Sequence, residues 1–437
     1  MATKIKVLLL VGEAWRGNNS GGNVISNFFN GMKDVELAQI YYEDDLPDTN
    51  LCEHFFQIPQ RQVIRNFLLH KKVGHEIIQN GQSLNNNKLT DTPQLINRVK
   101  SYIVRVRPQF LILIKNIIWR FSNWKSRELQ DFILKFNPDV IYAPCYASPF
   151  RLAMIRYVKE MTNKKVVTLS GDDNYSLRQF SLSPFFWINR LWQRHALRKT
   201  YPYFDRFFSM SEDESVELRQ FVKTDIDILR KGVRVPNKFS PRLTHTPIKM
   251  IYAGGLYLKR YACLLEIART LREINKERVK AELHIYTATK LSRKVSKQLN
   301  DGISTFNHGL ISSDELSKAY QDYDIAIHCE SFDLQNRLTT RLSFSTKIID
   351  CFQSGCAILA IAWKEQTGLK YLKNEDAAIC VTSLNDIRPI INEIISNPEL
   401  ISLYARKAYD CEVRNHRIED VQRILYNSLF SCSHDCK

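Results

Sequence analysis

The chain has 437 residues, 44% hydrophobic and 25% charged, with a formal net charge of +16 at neutral pH. Such a length exceeds one ordinary core and such a composition excludes a disordered chain, so two soluble domains are expected. No membrane span is predicted, because apolar stretches such as Phe110 to Ile114, which is broken by Lys115 and resumes only to Trp119, fall well short of the ~20 residues a bilayer requires.

Met1-Ala2-Thr3 leads straight into a strand-like run, Lys4–Val11, which reads as a first core strand and not as a signal peptide. The ten cysteines are scattered, several within apolar runs (Cys329, Cys356, Cys380). Together these predict a reduced, cytoplasmic protein. Next comes a glycine-bearing loop, Gly12 to Asn23, then a helix over 24–32 with Asn23 as its expected cap. Gly21 and Gly22 in that loop suit either a lip facing an acceptor or an ordinary capped turn. The dinucleotide fingerprint G-x-G-x-x-G is absent.

Further strands are expected at 35–41, 140–143, 165–169, 206–210 and 227–229. A proline-bearing stretch without periodicity, 233–247, follows as the join between domains. The second half repeats the alternation, with strands at 248–253, 281–286, 303–306, 324–328, 356–361 and 377–380, and with amphipathic runs such as 263–274 between them. Regular β-α alternation predicts α/β architecture: two doubly wound, Rossmann-like domains facing across a cleft, with ligands beyond the carboxyl ends of the strands. The expected boundaries are 1–235 and 248–410, with 411–437 returning as a helix to the first domain.

Charge is concentrated in the first half. Residues 92–127 carry eight basic side chains and no acid, and residues 174–204 carry five more, again without an acid. Both stretches are rich in Trp, Phe and Ile. Polar and basic residues at helical spacing (Asn116, Arg120, Asn123, Arg127) and the run Phe185-Phe186-Trp187-Ile188 ahead of Arg190, Arg194 and Arg198 predict contact with an anionic membrane surface. Solvated helix faces would also tolerate these charges. Nucleic acid is disfavoured, since large aliphatics and not base-reading polar groups interleave the cations.

Three motifs carry chemistry. In the second half, a strand runs into Gly254-Gly255 and then Arg260, allowing close backbone approach and a forked donor for a diphosphate. An ordinary strand–helix turn would have the same glycines. Ser345-Thr346-Lys347 opens a short helix with Asp350 one turn in and Gly355 at its end, a pattern that suits a phosphate beside a ribose diol. In the first half, Asp172 and Asp173 follow a strand, where they can meet sugar hydroxyls or an acceptor OH, or simply cap a helix. No metal site is expected, because Cys432-x-His434-x-Cys436 lacks a second pair. His284 and His328 read as hydrogen-bonded core histidines, and His195 as a surface residue.

Taken in order, residues 252–271, His308-Gly309-Leu310, the segment 323–327 and Ser345 to Gly355 resemble the C-terminal domain of GT-B-fold glycosyltransferases, most of all family 4 and its relatives in bacterial surface-polysaccharide synthesis. Lys231-Gly232-Val233 is similar to the turn where those enzymes change domain. The resemblance implies a transferase that moves a sugar from a nucleotide-diphosphate donor to a lipid-linked or glycan acceptor, at the inner face of the plasma membrane and without a cofactor or obligatory metal. It implies donor contacts from Gly254, Gly255, Arg260, Gly309, Ser345, Thr346, Lys347 and Asp350, with Asp350 on the ribose. Where the family has the first acid of its Glu-x7-Glu motif, this chain has Leu342, so Glu330 and Asp333 are the nearest catalytic candidates beside Asp172 and Asp173. Arg337 or Arg341 is expected to reach phosphate. Retention of configuration is implied, but the altered motif leaves it open. An epimerase of the same fold is the alternative within enzymes, and a non-catalytic membrane- or nucleic-acid-binding protein the alternative outside them.

Overall fold

The structure, a computed structural model, describes residues 4–17, 19–78 and 108–434. The basic side chains Arg98, Lys100, Arg105 and Arg107 lie outside the described residues.

Among the described residues, eight strands form the first sheet: β1 (Ile5–Leu10), β2 (Val35–Tyr41), β3 (His54–Gln57), β4 (His75–Ile78), β5 (Val140–Tyr142), β6 (Lys165–Ser170), β7 (Arg206–Ser209) and β8 (Ile226–Ile228). Their order is β4-β3-β2-β1-β5-β6-β7-β8. Every pairing is parallel except β3 with β4, which is antiparallel. The second sheet has β9 (Ile248–Ala253), β10 (Ala281–Tyr286), β11 (Thr305–Gly309), β12 (Ile325–Cys329), β13 (Ala357–Ile361) and β14 (Ile379–Val381), all parallel, ordered β11-β10-β9-β12-β13-β14. Strand order therefore reverses between β1 and β5 in one domain and between β9 and β12 in the other. Those two reversals open the crevices in which such sheets take ligands.

Burial explains the strand sequences. Helices cover both faces of each sheet, so β1 and β13 are almost continuously apolar instead of alternating. Successive residues feed separate cores: Leu8 and Leu10 on one side of the first sheet, Val7 and Leu9 on the other. Two strands, β3 and β4, were not expected. At four residues each they are too short for a period to show, and β3 holds the outer edge of the parallel set mainly through buried Phe55 and Phe56.

The expected membrane helix is shorter and more deeply set than its sequence suggested. It spans Gln109–Phe121, leaving Asn123 and Arg127 outside it. Asn116 is buried, and Trp119 stacks on Phe150 with ring centres 4.1 Å apart. Arg190 is likewise buried, so it cannot meet a surface.

The chain crosses between domains twice, at adjacent points. Val233 donates its NH to the carbonyl of His416 (2.7 Å) and accepts from the NH of Ile418 (2.9 Å). Gly232 permits this approach, because a Cβ there would lie 2.6 Å from the Cα of Ile418. Cys411 and Glu412 remain in the helix Glu399–Asn415 on the second domain, and the helix that crosses back begins only at Ile418. That last helix, Ile418–His434, packs against β1, β5 and β6 and sends Val421, Leu425, Leu429 and Cys432 into the first domain's core. Replacing Leu425 with alanine is expected to cost about 2–5 kcal/mol. Urea denaturation measures this, and an unchanged midpoint would show that the helix adds nothing to that core.

Candidate functional site

The crevice between β9 and β12 gathers most of the second-domain candidates. Beyond β9 the backbone of Gly254 takes φ +143°, and a Cβ there would sit 2.3 Å from the end of Lys347. Glycine is what lets this lysine lie against the turn. Lys347 donates to the hydroxyl of Tyr252 (2.9 Å) and the carbonyl of Gly255 (3.2 Å), and lies 4.9 Å over the Tyr252 ring. Both acceptors are neutral. Burial, then the nearby Arg260, lowers the lysine's pKa from its ordinary value.

Arg260, just ahead of the helix Tyr261–Ile274, is engaged by Glu330, which follows β12. Its Nε and Nη2 meet the two carboxylate oxygens at 2.9 and 2.8 Å. Burial opposes the guanidinium charge, but Glu330 outweighs that effect and the pKa is raised. This bidentate pair uses two of arginine's five N–H donors and leaves the rest for another group.

His328, at the end of β12, was expected to be a hydrogen-bonded core residue. It is fully buried, yet neither ring nitrogen has a hydrogen-bond partner. Burial, reinforced by Arg260 and Lys347, pushes its pKa down to about 3. A neutral imidazole therefore lies beneath two cations.

The helix Thr346–Gln353 begins at Ser345, whose side chain makes no capping bond. Asp350 stands one turn in, half exposed, and accepts from Lys231 Nζ at 2.8 Å. Lys231 arrives from the domain crossing and was not foreseen as a site residue. Gly309 ends β11 at φ +77°, and a Cβ there would meet no atom within 4 Å. Asp333 has a local role: it caps the helix Leu334–Thr339, accepting from Asn336 N (3.3 Å) and Ser331 Oγ (2.5 Å). Its pKa is lowered, with burial opposing and the hydrogen bonds from Ser331 and Asn336 prevailing.

The first-domain acids are bound to the segment that leads into the lysine helix. Asp173 is almost wholly buried between Arg190 and Arg341, each at 3.1 Å, and Arg341 also grips Glu217 (2.9 Å from Nη2). Arg341, expected to reach phosphate, thus bridges two carboxylates of the other domain. Asp172 accepts from Ser343 Oγ at 2.6 Å. Gly21 and Gly22 form no loop. They sit in the first turn of the helix Ser20–Phe29, capped by Asn19 and not Asn23, with Asn19 Oδ1 2.7 Å from Gly22 N and Glu13 Oε2 3.1 Å from Gly21 N. Glu13 and Arg151, at the β1–β5 reversal, also escaped sequence reading. A Cβ on Gly12 would lie 2.0 Å from the Arg151 guanidinium, so a glycine ahead of a charged residue was the available signal.

Glu214 is a further buried acid at this boundary. Its oxygens lie 2.5 Å from Ser170 Oγ and 2.7 Å from Ser209 Oγ, and Ser209 Oγ donates onward to the Ser211 carbonyl. Burial pushes the pKa of Glu214 up to about 8 from 4.5. Below the ordinary value the contribution to stability is complete, and it is lost as pH rises through about 8. The melting temperature of the wild type should therefore fall relative to Glu214→Gln between roughly pH 5 and 8; parallel curves would contradict the neutral acid. In the second domain, Glu330→Gln should destabilise by about 3–5 kcal/mol by stranding Arg260, while Arg260→Met combined with Glu330→Leu should lose less. Chemical denaturation of the three variants checks this.

Two facing domains with parallel sheets and crevices at the strand reversals define the class of fold: it is the GT-B arrangement of glycosyltransferases. Among solved structures, the chain is similar to TarM (TM-score 0.61, 11% identity, covering 98% of this chain and 99% of that one). It is also similar to sucrose-phosphate synthase from Thermosynechococcus elongatus (0.61, 13%, 98% and 99%) and to HepE of Anabaena in complex with UDP and glucose (0.58, 11%, 98% and 100%). No protein-family model and no curated protein matches the sequence.

Proposed function

We propose that the protein is a glycosyltransferase that moves a hexose from a nucleotide-diphosphate donor to a lipid-linked or glycan acceptor of a bacterial surface polysaccharide. The observation that carries this reading is the meeting of Lys347, Arg260, Gly254 and the Asp350 helix at the β9–β12 crevice. The fold shared with HepE, a protein solved with UDP and glucose, and with WaaG, described as a glycosyltransferase involved in lipopolysaccharide biosynthesis, supports it.

On this reading the diphosphate takes Lys347 and the free donors of Arg260, and the ribose diol replaces Lys231 at Asp350. Lys347 then stabilises charge on the departing diphosphate from a partly desolvated position, where electrostatic stabilisation is strongest. Glu330 is held by Arg260 and Asp333 by its cap, so both serve first to position the cations and the loop. No metal is assigned to the reaction.

Because Glu330 already compensates Arg260, Lys347→Met should weaken nucleotide binding more than Arg260→Met, and Asp350→Ala should weaken it by about tenfold, one hydrogen-bonded charge's worth. A melting-temperature screen with UDP, GDP and ADP, followed by calorimetry, tests this. Failure of all three to raise the wild-type melting temperature removes the donor site.

On this reading a lipid-linked acceptor would be met at the cytoplasmic leaflet. Supporting this, Phe110, Ile114, Ile117 and Phe121 lie exposed on one helix, and Phe185, Ile188 and Leu191 on the helix Pro184–Thr200 packed beside it. The helix Gln60–Leu69 adds exposed Phe67, Leu68 and Leu69, followed by His70, Lys71 and Lys72. Apolar groups rimmed by cations suit an anionic interface. Phe121→Ser with Leu68→Ser should abolish flotation with phosphatidylglycerol vesicles. Undiminished flotation, or binding to duplex DNA alone, would overturn the membrane assignment.

A further inference from the structure

A cavity of about 340 Å³ opens in the first domain, under the loop after β6 and beside the helix Glu212–Leu218. Its volume is within the ~300–1,000 Å³ of small-molecule sites. Tyr175 and Phe221, with ring centres 4.1 Å apart, supply an aromatic wall. Asp172, Asn174 and Gln220 add hydrogen-bonding groups, and Leu342 closes the cavity from the second domain.

The lining carries four acids, Asp172, Asp173, Glu214 and Glu217, against two cations, Arg178 and Arg194. Asp173 and Glu217 are met by Arg341, Arg178 lies 3.5 Å from Glu217, and Arg194 stacks on Tyr175 at 4.2 Å. Glu214, also in the wall, is held neutral by its burial. A lining in which acids outnumber cations offers no attraction to an anion such as a phosphate. An aromatic face beside carboxylate and amide groups instead suits a ring with an apolar face and hydroxyls around its edge.

We propose that this cavity binds a neutral sugar ring, that of the acceptor. The acceptor role rests on the transferase reading above; the binding of a sugar does not. Leu342 stands three residues before Ser345, and its carbonyl accepts from Ser211 Oγ at 2.9 Å. One loop therefore walls the cavity and leads into the lysine helix.

The test uses the full-length protein and the methyl glycosides of glucose, galactose and N-acetylglucosamine, observed by saturation-transfer NMR. At least one glycoside should receive saturation in the wild type. Phe221→Ala should weaken it by roughly tenfold, the upper worth of an aromatic contact, and Gln220→Trp, at the exposed rim, should block it. The UDP-induced melting shift of both variants should match the wild type, which also confirms that they are folded. If the wild type receives no saturation from any of the glycosides, or if saturation persists in Gln220→Trp, the proposal is overturned. If the glycosides bind and no nucleotide does, the sugar site stands and the donor reading falls.

Discussion

Arg341 belongs to the second domain, yet its Nη1 and Nη2 are engaged by Asp173 and Glu217 of the first. A buried carboxylate is tolerable only when its charge is met, so these acids fix where the 340–345 segment must lie. Ser343 on Asp172 and the Leu342 carbonyl on Ser211 complete the attachment. The helix that carries Lys347 and Asp350 starts from this anchored segment. The position of the candidate donor cations thus depends on acids of the opposite domain.

The same rule of compensation shapes the rest of the cleft. Lys231 answers Asp350, Glu330 answers Arg260, and Lys370 answers Asp213. Lys347 differs, with neutral oxygens for partners and an unpartnered, uncharged His328 close by. It is held by geometry more than by opposite charge: Gly254 clears its path and the Tyr252 ring lies beneath it. A cation kept this way retains attraction for an incoming anion, whereas a salt-bridged one has largely spent it.

What the sequence revealed follows from the range of the forces involved. Continuous apolar strands announce burial on both faces, so the two parallel sheets were legible, as was the meeting of Gly254, Arg260 and the Ser345–Asp350 helix near strand ends. Pairings between distant residues were not. Asp173 meets Arg190 seventeen positions on and Arg341 168 positions on, and neither spacing leaves a local trace. The acids therefore looked free to do chemistry, and Arg341 looked free to bind phosphate. Asn19 was passed over for Asn23 because two glycines inside a helical turn run against propensity. Gly22 is there because its Cβ would strike the carbonyl of Arg16 at 2.1 Å.

The double crossing between domains has a mechanical consequence. Two widely separated connections between two bodies would hold them against relative rotation about all but the line that joins them. Here Val233 is stitched to His416 and Ile418, so outgoing and returning strands run together as a narrow ribbon. Such a ribbon resists stretching but bends readily. It gives the molecule the kinematics of a book with a single spine.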